Sequence, residues 1–214
     1  MKNINMHMND EDDLPCEELE KEITPERLAR LKEVLVKRQK GLTLVLSNIH
    51  DPHNVSAIYR SCDAFGVPEV HLYYTDTAFP SLSRRSSGSA RKWVDTIRHR
   101  SLDDLAAALR NQNMQILSTS CSPEARPLDA YDFTRPTAVI MGNEHSGVSE
   151  EVLRIVDGEL YIPMYGMIQS FNVSVAAAVI LAEAARQRKA AGLYDEPTFS
   201  EGELEAHLSD WVKR

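Results

Sequence analysis

Short apolar runs alternate along the chain with stretches whose apolar residues recur three and four positions apart, which is the pattern of strands alternating with amphipathic helices. The runs at 43–49, 69–74, 92–97, 114–120, 137–141 and 160–163 read as strands. Their centres are apolar throughout, as in the Thr-Ala-Val-Ile-Met of 137–141, and this suits a parallel sheet covered on both faces. Helical spacing marks 55–65, 102–111 and 150–156, with Ser101 and Asp104 as a capping pair for the second of these. An earlier helix starts at Thr24, with Pro25 at its first position and Leu28, Leu31, Val34 and Leu35 on one face; Gly41 is expected to end it. A last long helix runs from Val173 to about residue 190. Its apolar first half must be buried, and Arg186, Arg188 and Lys189 complement the dipole at its C-terminal end. The predicted class is α/β: a parallel sheet flanked by helices.

Length and charge refine this picture. A chain of 214 residues fits one domain with flanking extensions. Residues 1–22, acidic and poor in apolar positions, are expected to form a disordered tail, 23–194 the folded domain, and 195–214 a short, partly ordered acidic appendage. No run of about 18 apolar residues occurs, and no basic-then-apolar leader opens the chain, so a soluble, cytoplasmic protein without membrane contact is expected. Cys16, Cys62 and Cys121 are odd in number and far apart, which suits reduced structural thiols. The net charge of −8 argues at first against a nucleic-acid partner. However, residues 1–22 carry −6 and 195–214 carry −4, which leaves +2 between them. Within that middle, basic residues gather at Arg27, Arg30, Lys32, Lys37, Arg38 and Lys40, at Arg84, Arg85, Arg91 and Lys92, and at Arg98 and Arg100. Such clusters either hold phosphates or form solvated faces.

Several chemistries are excluded by missing motifs. No Gly-x-Gly-x-x-Gly follows any strand, so the dinucleotide fingerprint is absent. Gly142 and Gly147 have phosphate-loop spacing, but Val148 and Ser149 follow where Lys and Ser/Thr would be required. His50 and His53 lack further ligands at suitable spacing, so structural loop roles and no metal site are expected. Met164 and Met167 read as packing residues.

Three polar segments stand out instead. In 48–67, Asn54 stands where a helix is expected to begin and Arg60 lies six residues on, so an amide and a guanidinium can sit side by side; the arginine fork can grip a phosphate bidentately. The plainer alternative is a helix cap and a surface arginine. In 138–148, a strand runs into Gly142, Asn143 and Glu144 and then Ser146 and Gly147, a turn that a ligand can approach closely; Glu144 either organises the site or is a surface carboxylate. In 162–176, Gly166, Ser170 and Asn172 lead into the apolar helix, whose first N–H groups are left available to a ligand.

Taken in order, these three segments resemble the three motifs of the SPOUT superfamily of RNA ribose 2′-O-methyltransferases, and of its TrmH-type tRNA enzymes in particular. The similarity extends over roughly 24–194. It implies a SPOUT fold with a C-terminal trefoil knot, which ordinary topological rules would count against. It also implies a homodimer that binds S-adenosyl-L-methionine (SAM) and acts on tRNA, methylating a D-loop guanosine at position 18; the tRNA wobble nucleotide or ribosomal RNA is the alternative substrate. Carried over by position, Gly142, Ile162 and Phe171 contact SAM largely through backbone groups, with Thr119 nearby. Phe171 stands where these enzymes commonly have leucine, a change that a backbone contact survives. Arg60 corresponds to the catalytic arginine, with Asn54, Glu144, Ser170 and Asn172 organising the site. The family's arginine is proposed as general base; a guanidinium, with an ordinary pKa above about 12, is a poor one, so electrostatic activation of the hydroxyl is an equal alternative. Arg84, Arg85, Arg91 and Lys92 fall in a region that lies beside the site in this family, and RNA contact is expected there. A SAM- or RNA-binding module without catalysis would be favoured only by loss of one of the five motif residues, and all five are present.

Overall fold

The computed structural model describes residues 23–75, 78–79, 90–143 and 146–214. Its centre is a parallel sheet of β1 (Leu42–Ser47), β2 (Glu69–Tyr73), β3 (Asp95–His99), β4 (Gln115–Thr119), β5 (Arg126–Pro127), β6 (Thr137–Met141) and β7 (Gly158–Tyr161), in the order β3-β2-β1-β6-β4-β7-β5. Helices α1 (Pro25–Leu35), α2 (Pro52–Ala64), α3 (Leu102–Asn111), α4 (Glu150–Leu153), α5 (Val173–Ala190) and α6 (Glu201–Val212) surround it. The two-residue β5 is too short for any periodicity and contains a proline, so it could not be read from the pattern.

The sheet is covered on both faces, as continuous apolar strands require. Leu44 and Leu46 of β1 pack on one face with Val55, Ile58 and Cys62 of α2 and Ala177, Ile180 and Leu181 of α5. Val45 points the other way, onto Leu105 and Leu109 of α3 and Val152 of α4. The central β1 and β6 are buried along their whole length, whereas the edge strand β3 exposes Thr96 and Arg98.

Several boundaries differ from the sequence reading; β7, for one, runs over Gly158–Tyr161 rather than 160–163. Helix α1 stops at Leu35 rather than at Gly41, because Lys37 and Arg38 close a tight turn onto the carbonyls of Val34 and Leu35 and swing Arg38 inward. The strand expected from residue 92 begins only at Asp95: Trp93 and Val94 both donate to the Ala90 carbonyl, making a helical turn over Ala90–Lys92. Helix α4 is four residues long, three fewer than expected. Helix α2 begins at Pro52, capped by Asp51, whose carboxylate accepts from the His53 N–H at 2.8 Å. Asn54 is therefore inside the helix, not at its start.

The segment 195–214, expected to be partly ordered, contains α6. A capping box joins Ser200 to Glu203, and Trp211 is buried against Leu31 and Leu35 of α1 and edge-on to Trp93. Leu204, Leu208 and Trp211 recur at helical spacing, a stripe obscured by the surrounding acids. The proposed acidic tail at 1–22 lies outside the described residues.

Two arginines singled out in the sequence, one for the helix dipole and one in the first basic cluster, are buried and structural. Arg188 of α5 is buried and donates to the carbonyls of Phe133 (2.8 Å), Gly41 (2.6 Å) and Arg135 (3.1 Å) and to Gln39 Oε1 (3.3 Å). Burial pulls its pKa down to about 10, still high enough to keep the charge at neutral pH. Arg38, also buried, pairs with Asp63 and lies over the ring of Trp211. Since Lys40 pairs with Glu203 and Lys37 donates to the Tyr194 carbonyl, half of the first basic cluster is engaged in holding α6 and its approach. Cys62 is buried, and burial pushes its thiol up; Cys121 is exposed; both are free.

Candidate active site

The carboxyl ends of β4, β6 and β7 open into a cleft of about 990 Å³. This is the edge at which open parallel sheets bind ligands, because the loops there diverge and leave space. Thr119 ends β4, Met141 and Gly142 end β6, and Ile162 follows β7; all four line the cleft, together with Ser170, Phe171 and Asn172 from the segment leading to α5. Ser120, Cys121, Ser122 and Gln169 also line it.

Gly142 has no room for a side chain. A Cβ there would stand 2.2 Å from the Gly147 carbonyl carbon, 2.4 Å from its oxygen and 2.5 Å from the Val148 nitrogen. The turn folds back on itself through two hydrogen bonds of 3.1 Å, Asn143 N–H to Gly147 O and Gly147 N–H to Asn143 O. The Asn143 side chain accepts from the Ser146 N–H at 2.7 Å and donates to its hydroxyl at 2.8 Å. Gly147 supplies the left-handed φ of +68° that the turn needs. These bonds between Asn143, Ser146 and Gly147 make a polar lip on one side of the cleft.

The other side is the N-terminus of α5. Asn172 caps it: its Oδ1 accepts from the Ser174 N–H (2.8 Å) and hydroxyl (2.6 Å). Its amide then donates to Asn54 Oδ1 of α2 at 3.1 Å. Two of the expected site residues, 118 positions apart, are thereby joined by one hydrogen bond at the rim.

Arg60 is placed differently from expectation. Six residues along a regular helix are a rise of about 9 Å and a rotation of about 120° beyond Asn54, so the amide and guanidinium do not sit side by side within one chain. Arg60 is exposed, outside the lining of the cleft, and has no hydrogen-bond or ion-pair partner among the described residues. Glu144, Arg84 and Arg85 lie outside the described residues. Arg91 and Lys92 are exposed in the turn before β3, where the Lys92 ammonium donates to the Arg214 carbonyl at 2.8 Å. His50 and His53 are exposed, and no metal-binding group of side chains occurs among the described residues. Met164 lines the cleft and Met167 is 99% exposed, so neither is the core residue expected.

The segment from Tyr161 to Val175 carries an unusual load of exposed apolar side chains: Tyr165, Met167 and Ile168, with Tyr161, Phe171 and Val175 partly covered. It borders the cleft. Contiguous apolar exposure of this kind marks a surface that another molecule covers.

Comparison with known proteins accords with this architecture. Residues 41–182 match the model of the SpoU rRNA Methylase family. The chain is 45% identical over 194 residues to the tRNA (guanosine(18)-2'-O)-methyltransferase of Thermus thermophilus, an alignment that covers 91% of this chain and all of the relative. A crystal structure of the Aquifex aeolicus TrmH/SpoU tRNA modifying enzyme superposes with a TM-score of 0.82 at 40% identity, over 87% of this chain and 95% of that one. The SpoU methyltransferase AviRb from Streptomyces viridochromogenes, solved in complex with AdoMet, superposes with a TM-score of 0.65 at 25% identity, over 72% of this chain and 64% of that one. With two thirds of its length inside the family model and a full-length relative at this identity, the chain belongs to the SpoU rRNA Methylase family.

Proposed function

We propose that the protein is a SAM-dependent tRNA ribose methyltransferase that methylates the 2′-hydroxyl of the D-loop guanosine at position 18. The observation that carries this reading is the convergence of Thr119, Gly142, Ile162, Ser170 and Phe171 on one cleft whose rim is the Asn54–Asn172 hydrogen bond. The full-length similarity to a methyltransferase of that nucleotide supports the substrate.

The cleft fits SAM. Its volume is ample for a nucleoside with an amino-acid arm, and the absence of space for a Cβ at Gly142 keeps the lip's backbone free to face a ligand. Thr119, Gly142, Ile162 and Phe171 would hold the cofactor. SAM, when bound, would supply a methyl group on its sulfonium; as the ribose 2′-oxygen takes it the C–S bond would break to leave the neutral thioether, and the hydroxyl proton would pass to water. Asn172, fixed by Ser174 and Asn54, orients the rim against which the ribose lies, and Ser170 stands beside it. We assign Arg60 to stabilising the developing alkoxide and a neighbouring phosphate, since a guanidinium donates strongly and accepts a proton poorly.

A homodimer completes this arrangement. Arg60 lies outside the cleft of its own chain, and the apolar segment 161–175 borders that cleft, so a second copy seated there both covers the segment and brings a guanidinium to the ribose. We propose that the C-terminal part of the domain forms the trefoil knot of the SPOUT fold, a reading supported by the match of residues 41–182 to the family model. The catalytic domain is taken as 23–194, with 195–214 as the appendage docked on α1. The basic turn at Arg91 and Lys92, with Arg84 and Arg85 before it, is assigned to RNA. No helix among the described residues is long and apolar enough to cross a membrane, and we assign the enzyme to the cytoplasm with its tRNA.

Labelled methyl transfer from SAM to an unmodified tRNA transcript tests the reading, with sedimentation of the same sample reporting the dimer. Incorporation into tRNA by a dimeric species is expected. Binding of SAM without incorporation into any RNA overturns it.

A further inference from the structure

We propose that Asn48 is a positioning residue for methyl transfer: it fixes the point at which α2 leaves the sheet, and through α2 the Asn54–Asn172 contact at the rim of the cleft. This inference rests on the ribose methyltransferase reading and extends it to a residue away from the cleft.

Asn48 immediately follows β1 and has a φ of +49°. Only one other described residue that is not glycine has a positive φ, Asn113 (φ 54°), and it sits in the ordinary turn that closes α3 onto β4. A left-handed backbone there costs an L-residue conformational energy, least for asparagine and aspartate. At Asn48 the side chain is buried and used at both ends. Its Oδ1 accepts from the Thr75 N–H at 2.9 Å, and its Nδ2 donates to the Thr75 hydroxyl at 3.0 Å. Its own N–H donates to the Tyr73 carbonyl at 3.1 Å. The next residue is gripped too, since the Tyr74 hydroxyl donates to the Ile49 carbonyl at 3.0 Å. Three successive residues after the midpoint of β2 therefore hold two successive residues after β1.

The consequence falls on α2. Asp51, three residues past Asn48, is its cap, and Asn54, six past it, is the partner of Asn172. The chain between Asn48 and Asp51 is too short to absorb a change in direction, so a different backbone at 48 shifts the helix start and the Asn54 amide with it. The cleft itself is lined by residues from 119 onward, with none from 42–75. Cofactor binding should therefore be insensitive to Asn48 while transfer is sensitive, a separation that a general loss of structure would not produce.

Three variants of the full chain separate the possibilities: Asn48→Ala, Asn48→Gly and Asn48→Asp. Glycine adopts the left-handed backbone without strain but has no side chain to hold Thr75. Aspartate tolerates the same backbone and accepts from both the Thr75 N–H and its hydroxyl. Single-turnover transfer to unmodified tRNA at saturating SAM, SAM affinity by calorimetry and melting temperature are measured for each. The glycine and alanine variants should lose about 100-fold in transfer, the effect of an ångström-scale misplacement, with SAM affinity unchanged. The aspartate variant should recover most of the loss. A glycine variant that transfers at the wild-type rate overturns the inference, as does an aspartate variant no better than glycine, or a loss of SAM affinity in step with activity. Wild-type protein that binds SAM but methylates no tRNA overturns the functional reading, and this inference with it.

Discussion

Replacing Gly142 by alanine adds one methyl group at the point where the lip of the cleft is tightest. The new Cβ would lie within 2.5 Å of three backbone atoms of Gly147 and Val148, none of which can rotate away as a side-chain tip would. The turn must open, and opening it breaks the paired hydrogen bonds between Asn143 and Gly147. Overpacking costs about 1–3 kcal/mol and the two hydrogen bonds about 1 kcal/mol each, so a loss of roughly 3–5 kcal/mol is expected unless the turn detaches from the sheet altogether. For a chain of this size that is a fall in Tm of about 10 °C. A detached turn forfeits its backbone contacts to the cofactor, and two such contacts correspond to about 2 kcal/mol, or about 30-fold in Kd. Calorimetric titration with SAM and thermal unfolding with and without it measure both quantities. Gly202→Ala is the control, because nothing lies within 4 Å of a Cβ at that position and it sits in α6, away from the cleft. It should bind SAM as wild type and melt no lower. A Gly142→Ala protein that melts normally and binds SAM with wild-type affinity would refute the placement of the lip against the cofactor.

Other perturbations have equally definite outcomes. Arg60→Ala should bind SAM normally and lose nearly all transfer, because the side chain lies outside the cofactor cleft; full activity in that variant removes Arg60 from the mechanism. Arg188→Met should cost roughly 2–4 kcal/mol in urea unfolding, since three carbonyls and the Gln39 side chain lose their common donor; a smaller loss than an exposed substitution such as Arg186→Met would show that the buried network is dispensable. Stability should also fall on mild acidification. His99 is buried, hydrogen-bonded to His71 at 2.8 Å between ring nitrogens and bonded to Asp104 at 3.0 Å, with Glu69 at 3.4 Å from His71 at the other end. Burial holds the His99 imidazole below its ordinary value, despite Asp104, so the unfolded chain binds the proton more readily and stability is lost as pH falls through about 6.5. Burial raises the Glu69 carboxyl, but hydrogen bonds and the charge of His71 outweigh it and leave a net depression, so its contribution has the same sign and is lost at lower pH. His99→Gln should flatten the upper step of an unfolding series from pH 8 to pH 5; an unchanged step would assign the dependence to another group.

Much of this architecture is legible in the sequence because burial on two faces leaves strands such as β6 apolar at every position, and because Thr24 and Ser101 are helix caps by chemistry as well as by place. What escaped has common causes. The stripe of α6 at Leu204, Leu208 and Trp211 lies in an acidic stretch whose composition resembles a solvated tail. The burial of Arg188 and Arg38 is decided by carbonyls and an aspartate from distant segments, and no local pattern distinguishes them from the exposed Arg186 and Lys189. The site shows the same division. Its residues stood out as three polar segments, but the joining of Asn54 to Asn172 depends on α2 and α5 packing together. The start of α2 was misread because Asp51 and Asn54 are both competent caps, and Pro52, which prefers the first helical turn, decides between them.

The most direct test of the account is to map the methyl group itself. Purified protein, SAM and unmodified tRNA are incubated, and the product is digested and sequenced by mass spectrometry, with ribosomal RNA in a parallel reaction. The account predicts one 2′-O-methylguanosine at position 18 of the D-loop. A methyl group at the wobble nucleotide, in ribosomal RNA only, or on a base rather than a ribose would contradict it.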